Sequence, residues 1–141
     1  MKSFILIILL GLFSLTLANE AGLVKKVKGS SYIVRNEKKV AINIGTKVFE
    51  ADTIITKGRS SVGLIFKDNT RITVGSNSEF AIEEYIFDLA EDNIEFKTNL
   101  VKGTLACVTG LISKTKPSAF KLKVKTATMG IRGTYFIVNT N

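Results

Sequence analysis

The chain has 141 residues, with 20 Lys and Arg against 12 Asp and Glu, no histidine, no tryptophan, one cysteine and one proline. A formal net charge of +8 favours anionic surfaces in general and names none of them. Without histidine, a serine or cysteine nucleophile would need a lysine or carboxylate as its base. No spacing here supplies one, and there is neither a Walker loop nor a dinucleotide fingerprint. The paired cysteines and histidines of a zinc site are absent as well, so the reading is a non-enzyme with no cofactor and no metal.

Residues 1–18 read as a secretory signal. Lys2 gives a minimal positive region, Phe4 to Leu12 is almost wholly apolar, and Ala18 supplies the small residue before a cleavage point. The apolar run stops short of the ~20 residues a membrane span needs, and polar Asn19 and Glu20 follow at once. Cleavage after Ala18 is expected, the alternative being an uncleaved N-terminal anchor. Residues 19–141 would then form one domain, periplasmic or otherwise exported, of a size at which a single core can close.

Short β-rich segments then follow one another between turn residues. Leu23 to Lys28 stops at Gly29-Ser30, Tyr32 to Arg35 at Asn36-Glu37, Val40 to Ile44 at Gly45, and Thr53 to Thr56 at Lys57-Gly58. Val62 to Phe66 stops at Asp68-Asn69 and Arg71 to Val74 at Gly75-Ser76-Asn77, before a further run opens at Phe80. Such spacing predicts an all-β fold of stacked short antiparallel strands, as a β-roll, a solenoid-like stack or a sandwich. The strict alternation of residues 120–126 puts Phe120, Leu122 and Val124 in the core, and Val62, Leu64, Phe66, Ile72, Val74, Phe80 and Ile82 follow the same rule.

The acidic stretch from Glu83 to Asn93 reads as a strand through Phe87 and then a solvated hairpin tip, since the glycine and terminal glutamate of a calcium loop are missing. Cys107 lies in a strand-like run and is expected to be a small core residue, the alternative being an intermolecular disulfide or redox role. Pro117 is placed in a loop over residues 113–118.

The closing stretch holds Gly130-Ile131-Arg132-Gly133-Thr134 ahead of an aromatic and β-branched run. Two glycines are expected to fix a tight bend there with the Arg132 guanidinium at its apex. Lys121, Lys123 and Lys125 form a ridge on one strand face, extended by Lys114 and Lys116. That ridge is either a solvated face that discourages strand pairing or a contact for anionic envelope glycan. Nucleic acid is not expected, for lack of interleaved aromatics.

The order of these pieces resembles the FecR domain, a periplasmic all-β module. The resemblance runs from Gly22-Leu23-Val24 through Gly45-Thr46 and Ala51-Asp52-Thr53-Ile54-Ile55-Thr56 to the strand–turn–strand of residues 60–72. It continues through Ser78-Glu79-Phe80-Ala81-Ile82 and Leu100-Val101-Lys102-Gly103-Thr104 to the Arg132-Gly133-Thr134 motif. Asn69 and Ala51 stand where the family has glycine. Asparagine tolerates left-handed geometry, and Ala51 implies that its position needs no positive φ.

Family members that control sigma factors carry a cytoplasmic segment, a transmembrane helix and a receptor-contacting domain. This chain shows none of these, so the resemblance implies the β module without the regulator's function. Asp52 and Arg132, each inside a family motif, are the first candidates for interaction. They are expected either to pair with each other or with local groups, or to dock a partner's charge. An envelope protein is the expected partner, through which the domain would act in signalling or assembly. Anionic glycan is the alternative, self-association through an edge strand is a third possibility, and oligomeric state is left open.

Overall fold

The period-two alternation of the sequence is realised as thirteen strands in a computed structural model that describes residues 18–133 and 135–140. In chain order they are β1 (Glu20–Lys28), β2 (Ser31–Arg35), β3 (Lys38–Ala41), β4 (Lys47–Phe49), β5 (Thr53–Thr56), β6 (Ser61–Phe66) and β7 (Arg71–Val74). Then come β8 (Glu79–Asp88), β9 (Asn93–Lys102), β10 (Thr104–Val108), a short helix α1 (Leu111–Thr115), β11 (Phe120–Val124), β12 (Ala127–Gly130) and β13 (Tyr135–Asn139). Apart from Ala18, the expected leader lies outside the described residues.

One sheet has the order β13-β10-β7-β6-β1-β4 and the other β12-β11-β9-β8-β5-β2-β3. In both, neighbours in space follow nearly the order of the chain, so the polypeptide winds progressively from one end of the pair to the other. The fold is all-β, as expected, and two sheets share one core. Every pairing is antiparallel except β9 with β11, between which the chain leaves for β10 and returns through α1.

Phe66 from the first sheet packs on Tyr85 and Phe96 from the second, with ring centroids 5.5 and 4.8 Å away. Phe96 meets Tyr85 at 4.8 Å and Phe120 at 4.3 Å, both edge to face. Each such ring contributes about 1.5–3 kcal/mol by burial and each edge contact about 0.5–1.5 kcal/mol more. Phe120 and Leu122 are in the core, while Val124 is half-buried against it. In β8 the register shifts between Ile82 and Glu84, so a bulge places Glu83 and Glu84 together outside and returns Tyr85 to the core.

Three expectations are corrected. Ala51 has φ +72, because the turn from Phe49 to Asp52 folds back until the Asp52 amide reaches the Phe49 carbonyl at 3.1 Å. The alanine therefore bears a cost of roughly 1–2 kcal/mol that glycine would not. Residues 113–118 are not a plain loop: α1 occupies the first part, and Pro117 opens a 3-10 turn over Pro117–Ala119, where its fixed φ suits a first helical position. Of the two glycines at the closing bend, only Gly133 is left-handed, at φ +114, and Gly130 ends β12 in extended conformation. Asn69 does take left-handed geometry, at φ +69.

Two polar knots close the ends of the core. At one, Thr56 Oγ accepts from the Ser78 amide at 2.9 Å, and Ser78 Oγ accepts from the Thr104 amide at 3.0 Å. At the other, Asp68 is fully buried in the β6–β7 turn. Its carboxylate accepts from Tyr85 hydroxyl at 3.0 Å, Thr70 hydroxyl at 2.7 Å, Thr70 amide at 3.3 Å and Ile112 amide at 3.0 Å. The Asp68 carbonyl takes the Leu111 amide at 2.8 Å. A Cβ at Gly110 would strike the Asp68 carbonyl and the Thr70 amide, so only glycine lets α1 come this close.

A buried carboxylate is tolerable only when its acceptor sites are filled. Removing the hydroxyl with Tyr85→Phe should therefore cost about 1–3 kcal/mol. A urea melt checks this, and an unchanged midpoint would remove Asp68 as the organiser of this end.

Candidate functional site

Asp52 has a side chain only 1% exposed. Arg35, on β2, holds it in a fork: Nε donates to Oδ1 at 2.8 Å and NH2 to Oδ2 at 2.7 Å. The Phe49 amide donates to Oδ2 at 2.8 Å, and Arg35 also donates to the Lys47 carbonyl at 3.1 Å while its guanidinium lies 4.8 Å over the Phe49 ring. These bonds hold Arg35 above its ordinary pKa. An open groove of about 550 Å³ runs past Arg35, Phe49, Glu50 and Asp52, but the carboxylate in it is already committed. Arg132 is not among the partners of Asp52.

Arg132 is exposed on the loop between β12 and β13, and no hydrogen bond or ion pair joins it to any described residue. The loop itself is anchored: Ser113 hydroxyl donates to the Ile131 carbonyl at 3.1 Å, and Thr109 hydroxyl donates to the Gly133 carbonyl. A fixed backbone thus presents an uncommitted guanidinium.

From that loop the chain enters β13, whose outward side chains continue a row across the first sheet. Register places Tyr135 beside Val108, then Arg71, Ile65 and Leu23. Ile137, Ala106, Thr73 and Gly63 form the next row. Tyr135 is 62%, Ile137 59% and Val108 43% exposed. Strands β6, β7, β10 and β13 contain no acidic residue, and Arg71 is their one charge.

The second sheet is the reverse. Lys121 and Lys123 stand exposed on β11, with Lys125 at the left-handed turn that follows, φ +54. Lys121 neighbours Lys97 across the parallel pairing, but Lys97 is bound to Glu84 at 3.1 Å, which holds it above the ordinary lysine range. A groove of about 150 Å³ lies on this face between Glu83, Lys97, Lys121, Lys123 and Thr128. Lys114 is exposed in α1 and Lys116 is half-buried. Among the described residues no group of three metal-ligating side chains converges, and no helix is long and apolar enough to cross a membrane.

A family model described as FecR protein matches residues 52–141. The chain belongs to the FecR family. No curated protein and no solved structure matches it. The FecR match starts at Asp52 itself and takes in Arg132, so both family-motif residues stand in the matched region, whereas Arg35, the partner of Asp52, precedes it. Sequence reasoning did not single out Arg35, Asp68 or Tyr85. An arginine in a strand and an aspartate in a turn have ordinary surface explanations, and the one usable signal was that Asp68 joins two runs whose alternate residues are core.

Breaking the fork with Arg35→Ala leaves a buried carboxylate uncompensated. A loss of about 2–3 kcal/mol is expected, below the range for a wholly buried pair because Arg35 is about one-third exposed. Thermal unfolding of the variant measures it.

Cys107, as expected, is in the core at 1% exposure, where burial and the nearby Asp68 charge push its thiol up to about 12. The native state keeps this proton where the unfolded chain, with an ordinary thiol near 8.5, has lost it. Stability is therefore full below about pH 8.5 and falls as pH rises toward 12, and Tyr85, also raised by burial, adds to the loss at higher pH. Urea midpoints between pH 7 and 11 should fall accordingly, and the native thiol should resist thiol reagents at pH 8 until the protein is unfolded.

Proposed function

We propose that this FecR-family chain is a non-enzymatic protein-binding module of the cell envelope, exported by cleavage after Ala18, that docks a partner through its Arg132 end. The observation that carries this reading is the contrast between its two motif charges. Asp52 is buried and consumed by Arg35, whereas Arg132 is held on an anchored loop with nothing among the described residues to bind. A carboxylate on a partner would complete a forked pair there, and the apolar outer rows beside it, centred on Val108, Tyr135 and Ile137, offer the desolvated surface that a protein contact needs. Family membership supports a place in envelope signalling or assembly.

One observation favours a second reading, in which anionic glycan lies along the second sheet: Lys121 and Lys123 project together without an acidic partner among the described residues. The two readings differ in salt response and in the residues they use. Arg132→Ala should leave stability within about 0.5 kcal/mol, as surface changes do, while abolishing capture of a discrete protein from envelope extract at moderate salt. If capture survives that change and is lost instead in Lys121→Glu/Lys123→Glu, with salt-labile retention on peptidoglycan or lipopolysaccharide, the glycan reading replaces the first.

A further inference from the structure

The four sheet edges are not protected alike. β4 is three residues long, and its Lys47 carbonyl and Phe49 amide are bound by Arg35 and Asp52. β3 carries Lys38 and Lys39, and β12 is four residues ending at Gly130 beside the lysines of β11. Shortness, charge and covered backbone are the usual guards against edge pairing. β13 has none of them: it is five residues, Tyr-Phe-Ile-Val-Asn, aromatic and β-branched, without charge, proline or glycine.

Pairing with β10 settles which backbone groups of β13 are open. The Thr140 amide donates to the Gly103 carbonyl at 2.9 Å, and the register sets Val138 against Leu105 and Phe136 against Cys107. In an antiparallel ladder every second residue bonds to the neighbour, so Phe136 and Val138 bond β10 while the N–H and C=O of Tyr135 and Ile137 point the other way. No strand among the described residues covers them. On the core side, Phe136 and Val138 are only half-buried, leaving the edge of the core unfinished.

We propose that β13 pairs antiparallel with β13 of a second copy about a twofold axis through Ile137, joining two six-stranded sheets into one. In that register the open N–H and C=O of Ile137 meet those of its counterpart, and Tyr135 stands opposite Asn139 of the second copy. Phe136 of each copy falls beside Val138 of the other and completes the unfinished edge. A second copy is the occupant because the strand is complementary to itself and brings no charge to the seam, so two strongly basic chains meet where neither carries any charge. The contact is independent of Arg132, and its salt dependence has the opposite sign to an ion-paired contact: screening of the net charge tightens it.

Sedimentation velocity on the purified protein, in low and high salt and up to about 1 mM, reads the association directly. A dimer fraction that grows with concentration and with salt is expected. Ile137→Lys sets two ammonium groups against each other at the axis, and Ile137→Pro removes the open N–H while sparing the bonds to β10. Both should weaken dimerisation at least tenfold, and Ile137→Lys should melt with the wild type because Ile137 is mostly exposed. A wild type that stays monomeric throughout, a dimer that salt dissociates, or one that both variants retain would overturn the proposal.

Discussion

A carboxylate with no access to water governs how this fold closes. Asp68 sits in a two-strand turn, yet its acceptors are filled from a neighbouring strand in the opposite sheet and from a helix start more than forty residues further on. Because leaving any of those sites empty in a low-dielectric interior costs more than a typical hydrogen bond gains, the turn, Tyr85 and α1 must arrive together. That requirement holds the two sheets in one relation at this end, and the aromatic chain from Phe66 to Phe120 packs in the space so defined.

Two acidic residues with the same appearance in the sequence, Asp52 and Asp68, are both structural, by different means. Asp68 has its acceptor sites filled by neutral donors alone, whereas Asp52 is matched by one guanidinium and an amide. Through its bonds to the Phe49 amide and the Lys47 carbonyl, the Asp52 pair ties β2 of one sheet to β4 of the other, so it also seals the end from which the winding starts. The opposite end has no comparable seal among the described residues, and there the chain displays Arg132 and the bare side of β13. Charge is uneven across the outer faces: acids and lysines crowd the seven-stranded sheet, and on the six-stranded one the lysines gather on β1 and β4 while β10 and β13 carry no charge.

Much of the strand layout was legible because period-two alternation survives wherever one face is buried. β7 and the core rows of β6 and β11 follow from it directly. What alternation does not encode is where it is interrupted. The bulge at Glu83 hides the return of Tyr85 to the core, β4 is too short to show a period, and α1 occupies a polar stretch whose helicity comes from its docking on Asp68. The left-handed Ala51 was misread because a missing glycine suggested relaxed backbone, when the tertiary demand of Asp52 had overridden it. Of the candidate residues, the sequence could rank Asp52 and Arg132 as worth inspection, but which one was spent and which was free depended on Arg35, a residue seventeen positions upstream of Asp52.

The progressive winding has a further consequence for dynamics. β12 hangs on β11 alone and β13 on β10 alone, whereas interior strands are gripped on both sides and, at the other end, the edge strand β4 is tied down by Arg35 and Asp52. Local opening free energies should therefore grade along the stack, lowest in the final two strands, which can fray and re-form while Asp68 and the aromatic core stay shut. The two strands that flank the pinned Arg132 loop are thus the part that a visiting chain can reorganise without disturbing the rest.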